Sequence, residues 1–236
     1  MSTNNIRGIL FDKDGTLLDF EATWPPAYRA AADELARLAG DPALADRVMR
    51  LGGYGDDGTL DPTSVFACGS TAAITDFCAA IPELEGIDDV AGRVDHLFTE
   101  FGERAPWVIE GLDGILEGLR SRGFALGLAT NDSVASADAW VAHNDFGRFF
   151  DFVAGADSGY GVKPNPAVFQ AFCAKTGLAA HQVCMVGDTI ADVELARAGG
   201  AGLSIFVETG VAAGGDLAVL VDHVLPSVAD LDRVLG

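Results

Sequence analysis

Short apolar runs alternate with helix-length segments along much of the chain. The continuous apolar runs predict buried strands at 7–11, 124–129, 152–154, 183–186 and 203–207. Apolar residues that recur every three or four positions predict helices between the last four strands, at 133–143, 166–176 and 190–198. Strands that are apolar on both faces and alternate with helices are typical of a parallel sheet covered on both sides. We therefore expect an α/β fold.

The segment between the first two strands breaks this alternation. It predicts several helices and no strand, and the helices are expected at 26–39, 42–50, 71–81 and 90–101. Pro25 and Pro26 suit the start of the first of them, and Gly40 suits its end. We therefore expect two domains: an α/β core made of 1–20 and 105–236, and a small helical domain made of 21–104.

Composition excludes several classes of partner. The 236 residues are 49% hydrophobic, and 35 acidic against 15 basic residues give a formal net charge of -20. A chain this acidic repels nucleic acid and anionic lipid, so we expect neither as a partner. The N-terminal segment lacks the apolar stretch of a signal peptide, and no CxxC pair occurs among the four cysteines. We expect a cytoplasmic protein.

The stretch FDKDGT places two acids at the end of the first predicted strand. If Asp12 opened an EF-hand calcium loop, the sixth position would be glycine and the twelfth glutamate. Leu17 and Thr23 stand there instead, which excludes that loop. From this stretch alone, a plain surface turn is still a possible interpretation. In that case Thr16 only fixes the turn.

Three further polar stretches each follow a predicted strand or precede a predicted helix. They contribute Thr130 with Asn131, Lys163, and Asp188 with Asp192. The carboxyl ends of parallel strands line one crevice, so we expect these side chains to converge there with Asp12 and Asp14. Carboxylates gathered in one place repel each other unless a cation lies among them, and oxygen ligands select a hard ion such as Mg²⁺. A hydroxyl, an amide, a lysine and a metal together indicate a phosphate site.

These motifs resemble the haloacid dehalogenase-like superfamily. DKDGT at 12–16, Thr130-Asn131, Lys163 before Pro164, and GDTIAD at 187–192 match its four motifs in order and spacing. DGTLLD and GVKPNP are most similar to its phosphoglycolate phosphatase-like branch. The resemblance implies a Rossmann-like, doubly wound parallel sheet as the core. It also implies that 21–104 is an inserted α-helical cap domain.

The resemblance also implies a role for each matching residue. Asp12 would attack phosphorus and carry the phosphoryl group, and Asp14 would act as acid and base. Thr130, Asn131 and Lys163 would bind the phosphoryl oxygens. Mg²⁺ would be bound by Asp12, the Asp14 carbonyl and Asp188. Asp192 would be a further ligand or support the ligands, and a plain acid in the first turn of a helix is its alternative.

The implied activity is Mg²⁺-dependent hydrolysis of a small phosphate monoester, such as phosphoglycolate or a sugar phosphate. Asp14 favours phosphate chemistry, because family members that cleave carbon–halogen bonds lack an acid at this position. Two alternatives stay open: a sugar-phosphate phosphomutase on the same core, and an inactive relative that binds a phosphorylated ligand or a protein. We expect a small phosphorylated metabolite as partner, and the oligomeric state stays open.

The predicted helical domain offers candidates for recognising the rest of the substrate. Arg47, Arg50 and Tyr54 lie near the loop GYGDDG at 53–58. Solvated arginines beside an exposed turn are an equally good interpretation of these residues. The loop matches the G-x-G-x-x-G dinucleotide pattern, but it follows a helical segment rather than a strand. We therefore expect a cap loop there and no nucleotide site.

Overall fold

The computed structural model describes residues 5–104, 108–211 and 218–236. The strands are β1 (Gly8–Phe11), β2 (Ala125–Ala129), β3 (Phe152–Ala154), β4 (Val183–Gly187), β5 (Leu203–Val207) and β6 (His223–Leu225). The helices are α1 (Phe20–Ala39), α2 (Leu44–Gly52), α3 (Val65–Cys68), α4 (Thr71–Ala79), α5 (Val90–Arg104), α6 (Leu112–Ser121), α7 (Val134–His143), α8 (Ala167–Thr176), α9 (Ile190–Gly199) and α10 (Asp232–Leu235).

The strands form one parallel sheet in the order β3-β2-β1-β4-β5-β6. Leu10 of β1 is in register with Gly127 of β2 on one side and with Met185 of β4 on the other. The chain therefore winds outward from β1 to β3 and then crosses to β4, where the direction of winding reverses. This order confirms the predicted α/β, Rossmann-like core, and such a reversal opens a crevice at the carboxyl ends of the strands.

The core of the sheet depends on close packing between the central strands and α8. Every residue of β1 and β4 is buried, as expected for strands covered on both faces. Phe172 of α8 lies directly over Gly127, where a Cβ would be 2.7 Å from the phenyl ring. Glycine therefore weakens the intrinsic strand preference of β2 but allows the aromatic ring to reach the sheet.

The chain divides into two compact units, Met1–Phe20 with Pro106–Gly236, and Glu21–Ala105. In its described part the second unit is helical, and it packs around its own aromatic cluster. Tyr28 stacks on Phe66 with ring centroids 4.3 Å apart, and Trp24 and Phe98 meet edge to face at 5.9 Å. The role of this unit as a cap stays a prediction.

Some predicted boundaries are wrong. Helix α1 begins at Phe20 rather than at Pro26, and both prolines lie inside it. Proline removes a backbone donor from a helix, but the buried face of Trp24, Tyr28 and Leu35 continues through the prolines. Burial on that face offsets the lost hydrogen bonds. No prediction from the sequence covers α3, α6, α10 or β6. Of these, α3, α10 and β6 are only three or four residues long, and α6 lies outside the segments assigned from periodicity.

Negative charge dominates the composition. Two of the three lysines, Lys13 and Lys163, are buried, so they contribute little to the positive charge of the surface. In the part of the chain that the structure describes, no helix is both long and apolar enough to cross a membrane. Exposed ion pairs such as Arg29–Asp46 and Arg148–Asp113 are present, but pairs of this kind stabilise a fold only weakly. Repulsion among carboxylates is therefore the larger surface electrostatic effect.

We predict that moderate salt stabilises the protein. Screening of the net charge of -20 should raise Tm as NaCl increases, mostly below roughly 0.3 M, where the Debye length falls steeply. Thermal unfolding followed by circular dichroism with a chelator present checks this, because the chelator removes divalent ions as a second cause. A Tm that falls with added salt would mean that the exposed ion pairs outweigh the repulsion.

Candidate active site

Three buried aspartates meet at the carboxyl ends of β1 and β4. The backbone N–H of Asp12 donates to the Val186 carbonyl at 2.9 Å, which extends the β1–β4 pairing to the strand ends. Asp188 follows β4, and Asp192 lies in the first turn of α9. Carboxylate oxygens of Asp12, Asp188 and Asp192 all lie within 4.8 Å of one another. The predicted convergence of these side chains is therefore present in the structure.

Lys163 brings a positive charge into this cluster. Its Nζ donates to Asp12 Oδ1 at 2.5 Å and to Asp192 Oδ1 at 2.8 Å. The side chain is buried, and burial alone would lower the pKa of the ammonium. The Asp12 and Asp192 carboxylates outweigh that effect and hold the pKa of Lys163 above its ordinary value. Lys163 is therefore a permanent cation shared by two acids.

One lysine does not compensate three carboxylates. Burial, followed by repulsion from Asp192, raises the pKa of Asp12 from 3.8 to about 7, although Lys163 lowers it. Burial and the neighbouring Asp12 and Asp192 also raise the pKa of Asp188 well above its ordinary value. Buried oxygen donors with an excess of negative charge suit a hard divalent cation. The donor set therefore fits a metal ion bound among Asp12, Asp188 and Asp192.

Two local features hold Asp188 in place. Thr16 Oγ1 donates to Asp188 Oδ1 at 3.0 Å, so this threonine does more than fix the turn after Asp14. Gly15 has φ +79°, and a Cβ there would lie 2.3 Å from Asp188 Oδ2. Glycine is thus required at this position both for its backbone conformation and for the close approach of the carboxylate.

Asp192 has two tasks, one on each oxygen. Its Oδ2 accepts hydrogen bonds from the Thr189 backbone N–H at 3.1 Å and the Thr189 hydroxyl at 2.6 Å, which caps the start of α9. Its Oδ1 faces Lys163. The sequence left two interpretations of Asp192 open, an acid in the first turn of a helix and an acid of the site. In the structure the one side chain both caps α9 and contacts Lys163.

The loop after β2 supplies the next part of the site. Thr130 Oγ1 donates to Asp14 Oδ2 at 3.3 Å, so the hydroxyl lies beside the second acid of the DKDGT motif. The Asn131 carboxamide accepts from the Lys163 backbone N–H at 2.7 Å and donates to the Lys163 carbonyl at 3.3 Å. The Asn131 side chain therefore fixes the backbone of the Lys163 loop. Phosphate binding by Thr130 and Asn131 stays a prediction.

Sequence reasoning missed two buried charges next to Asp14. Lys13 Nζ lies 3.1 Å from Asp14 Oδ1 and 3.1 Å from Asp132 Oδ2. A lysine between two acids at the end of a strand, and an acid directly after Thr130-Asn131, were visible in the sequence. Their pairing was not, because Lys13 and Asp132 are 119 residues apart and meet only through the β1–β2 pairing.

The three candidates in the helical unit have different surroundings. Arg47 forms an ion pair with Glu83, and Arg50 is exposed. The Tyr54 hydroxyl is buried and has no hydrogen-bond partner among the described residues, and burial, then Glu21, raises its pKa to about 12. The G-x-G-x-x-G stretch follows α2, as expected, and Tyr54 bridges to Leu60 across it. Substrate selection by Arg47, Arg50 and Tyr54 stays a prediction.

Comparison with known proteins identifies the family of this chain. A model of the haloacid dehalogenase-like hydrolases matches residues 6–200. The chain belongs to the haloacid dehalogenase-like hydrolase family. It is 30% identical to the phosphoglycolate phosphatase of Vibrio cholerae over 201 residues, which cover 83% of this chain and 82% of that protein. The chain is thus an enzyme, a hydrolase of the phosphatase type.

Solved structures agree on the fold. A predicted phosphoglycolate phosphatase from Haemophilus somnus has a TM-score of 0.73 at 21% identity, covering 98% of this chain and 99% of its own. A candidate beta-phosphoglucomutase from Thermotoga maritima has the same TM-score at 20% identity and covers 98% of each chain as well. At this identity the likeness shows the fold alone, and it does not separate the two activities.

We predict that Asp12 makes the metal-free protein progressively less stable as the pH rises from 3.8 to about 7. An ordinary carboxyl in the unfolded chain loses its proton near pH 3.8, whereas folded Asp12 keeps its proton up to about pH 7. Between these values the folded protein binds the extra proton, so stability falls as pH rises. Asp12→Asn removes this loss. The difference in Tm, variant minus wild type in chelator, should grow from pH 5 to pH 8.

Divalent cation supplies the control for this prediction. A cation among the three carboxylates stabilises their ionised forms, so added Mg²⁺ should raise the Tm of the wild type more at pH 8 than at pH 5. Asp12→Asn should respond less, because it has lost one ligand. A Tm difference that does not change with pH would contradict the placement of Asp12 among uncompensated acids.

Proposed function

We propose that the chain is a Mg²⁺-dependent phosphatase that hydrolyses a small phosphate monoester through a phosphoryl group on Asp12. The observation that carries the proposal is the shared contact of Lys163 with Asp12 and Asp192, beside Asp188. This arrangement keeps an ionisable carboxylate next to a fixed cation and a candidate metal site. A nucleophile, an anion-binding charge and a cation site are what phosphoryl transfer requires.

In the first half of the reaction, an Asp12 oxygen attacks phosphorus and the bond from phosphorus to the substrate alcohol breaks. Asp14 gives its proton to the departing alkoxide, which leaves as an alcohol. Lys163 and Thr130 bind the phosphoryl oxygens, and Lys163 also offsets negative charge that accumulates at Asp12. Bound Mg²⁺ would supply further positive charge for the phosphoryl oxygens.

In the second half, water attacks phosphorus and the bond to Asp12 breaks. Asp14, now a carboxylate, accepts a proton from that water, and inorganic phosphate and free Asp12 result. The same residue thus serves as acid and then as base, and covalent catalysis divides one difficult displacement into two easier ones. The low exposure of Asp12 limits the access of bulk water to the nucleophile before substrate binds.

Substrate identity is proposed at the level of chemical class. The Vibrio cholerae relative is a phosphoglycolate phosphatase, which supports phosphoglycolate as the first compound to test. Small sugar phosphates follow, because the fold is shared with a candidate phosphomutase. The cytoplasm stays the predicted location.

We predict Mg²⁺-dependent phosphate release from phosphoglycolate or a small sugar phosphate. Removing the cation with chelator should lower the rate about 100-fold or more, since it leaves three carboxylates facing the phosphoryl group. A colorimetric phosphate assay on a substrate panel measures both quantities. Isomerised sugar phosphate without net phosphate release would replace the phosphatase with a phosphomutase, and binding without turnover would indicate an inactive relative.

We predict that Asp12→Asn lowers kcat at least about 10³-fold, because an amide cannot attack phosphorus in this way. The matched control is Asp138→Asn, the same chemical change at an exposed position on α7. The control should keep wild-type kcat, and both variants should keep the wild-type circular dichroism spectrum. Substantial turnover in Asp12→Asn would show that another residue is the nucleophile.

A further inference from the structure

A second ion-pair system, made of other residues than the contacts of Lys163 with Asp12 and Asp192, includes Asp14. Its centre is Lys13, whose side chain is only 2% exposed. Lys13 Nζ lies 3.1 Å from Asp14 Oδ1 and donates to Asp132 Oδ2 at 3.1 Å. A buried lysine is costly unless its charge is compensated, and here two carboxylates compensate it. The arrangement therefore has a structural requirement, and its position next to Asp14 suggests a further role.

Asp132 is itself firmly held. Its Oδ2 accepts a hydrogen bond from Ser136 Oγ at 2.5 Å, and its Oδ1 accepts one from the Ser133 backbone N–H at 2.8 Å. Both donors belong to the start of α7, which gives the carboxylate a fixed orientation. Asp132 thus anchors the Lys13 ammonium from the end of β2, while Lys13 itself comes from the end of β1.

The Asp14 carboxylate is held at both oxygens by this system. Oδ1 faces Lys13, and Oδ2 accepts the Thr130 hydroxyl at 3.3 Å. Thr130 Oγ1 in turn accepts the Asp132 backbone N–H at 3.1 Å. The loop after β2 therefore orients Asp14 twice, directly through Thr130 and indirectly through Asp132 and Lys13.

We infer that Lys13 and Asp132 are positioning residues that hold the Asp14 carboxyl in the orientation needed to reach the leaving-group oxygen. The inference rests on the proposed function, in which Asp14 transfers that proton. Because Asp132 balances the ammonium, Lys13 can fix Asp14 without adding net positive charge to the site. Misplacing a general acid by a fraction of its hydrogen-bond length is enough to lose much of its effect.

The leaving group distinguishes positioning from a purely structural role. Phosphoglycolate releases an alkoxide that needs the proton of Asp14, whereas p-nitrophenyl phosphate releases a phenolate that leaves without one. The constant kcat/KM reports the steps up to departure of the leaving group. Lys13→Met should lower kcat/KM about 100-fold for phosphoglycolate and less than about fivefold for p-nitrophenyl phosphate. Asp132→Asn should also lower kcat/KM more for phosphoglycolate than for p-nitrophenyl phosphate, by smaller factors than Lys13→Met.

The double variant Lys13→Met with Asp132→Asn is the matched control for stability. It removes the ammonium together with one of its two carboxylate partners, so it should have a higher Tm than Lys13→Met, in which Asp132 has lost its counter-charge. If the two residues position Asp14, the double variant has this higher Tm but keeps the selective loss on phosphoglycolate. If their role is only structural, both substrates recover together with Tm, and the inference is wrong.

Measurements on the wild type distinguish failure of this inference from failure of the proposed function. Wild-type turnover of both substrates, with an equal loss on both in Lys13→Met and in the double variant, overturns the positioning role and leaves the phosphatase intact. Wild-type protein that hydrolyses no compound of the substrate panel, p-nitrophenyl phosphate included, in the presence of Mg²⁺ overturns the proposed function, and the inference falls with it.

Discussion

The Lys163 ammonium is the contact on which the core site depends. It lies between Asp12 and Asp192, two carboxylates from the ends of different elements that would otherwise repel each other in a buried space. Its loop is fixed by Asn131, whose carboxamide binds both polar backbone atoms of Lys163. The position of one charge thus links β1, the loop after β2, the segment before α8 and the start of α9.

This compensation is incomplete, and the proposed function makes use of the remaining negative charge. Burial and like charge keep the pKa values of Asp12 and Asp188 high, which costs stability in the metal-free protein. A site optimised for stability would not gather these acids, whereas a site that binds a cation and a phosphoryl group requires them. The second system, Lys13 with Asp14 and Asp132, is closer to balance and is built of residues that orient one another.

The sequence indicates the chemistry of the site better than its support. The positions of Asp12, Thr130, Lys163 and Asp188 at one edge of the sheet could be predicted, because each stands in a motif where a strand ends or a helix begins. The fold class follows from apolar runs that alternate with helices. The Lys13–Asp132 pair could not be predicted, because it joins residues far apart in sequence that meet only through strand pairing. The helix start predicted from Pro25 and Pro26 is wrong, because burial of one helix face outweighs the preference against proline inside a helix.

The most direct test of the account is to find where the phosphoryl group is carried. Asp14→Asn protein would be mixed with Mg²⁺ and p-nitrophenyl phosphate, quenched in acid, digested and analysed by mass spectrometry. This substrate needs no proton for departure, and the variant lacks the base for the second step, so the intermediate should accumulate. One phosphoryl group on Asp12 is the expected result. A phosphoryl group on any other residue, or phosphate release with no covalent species in this variant, would contradict it.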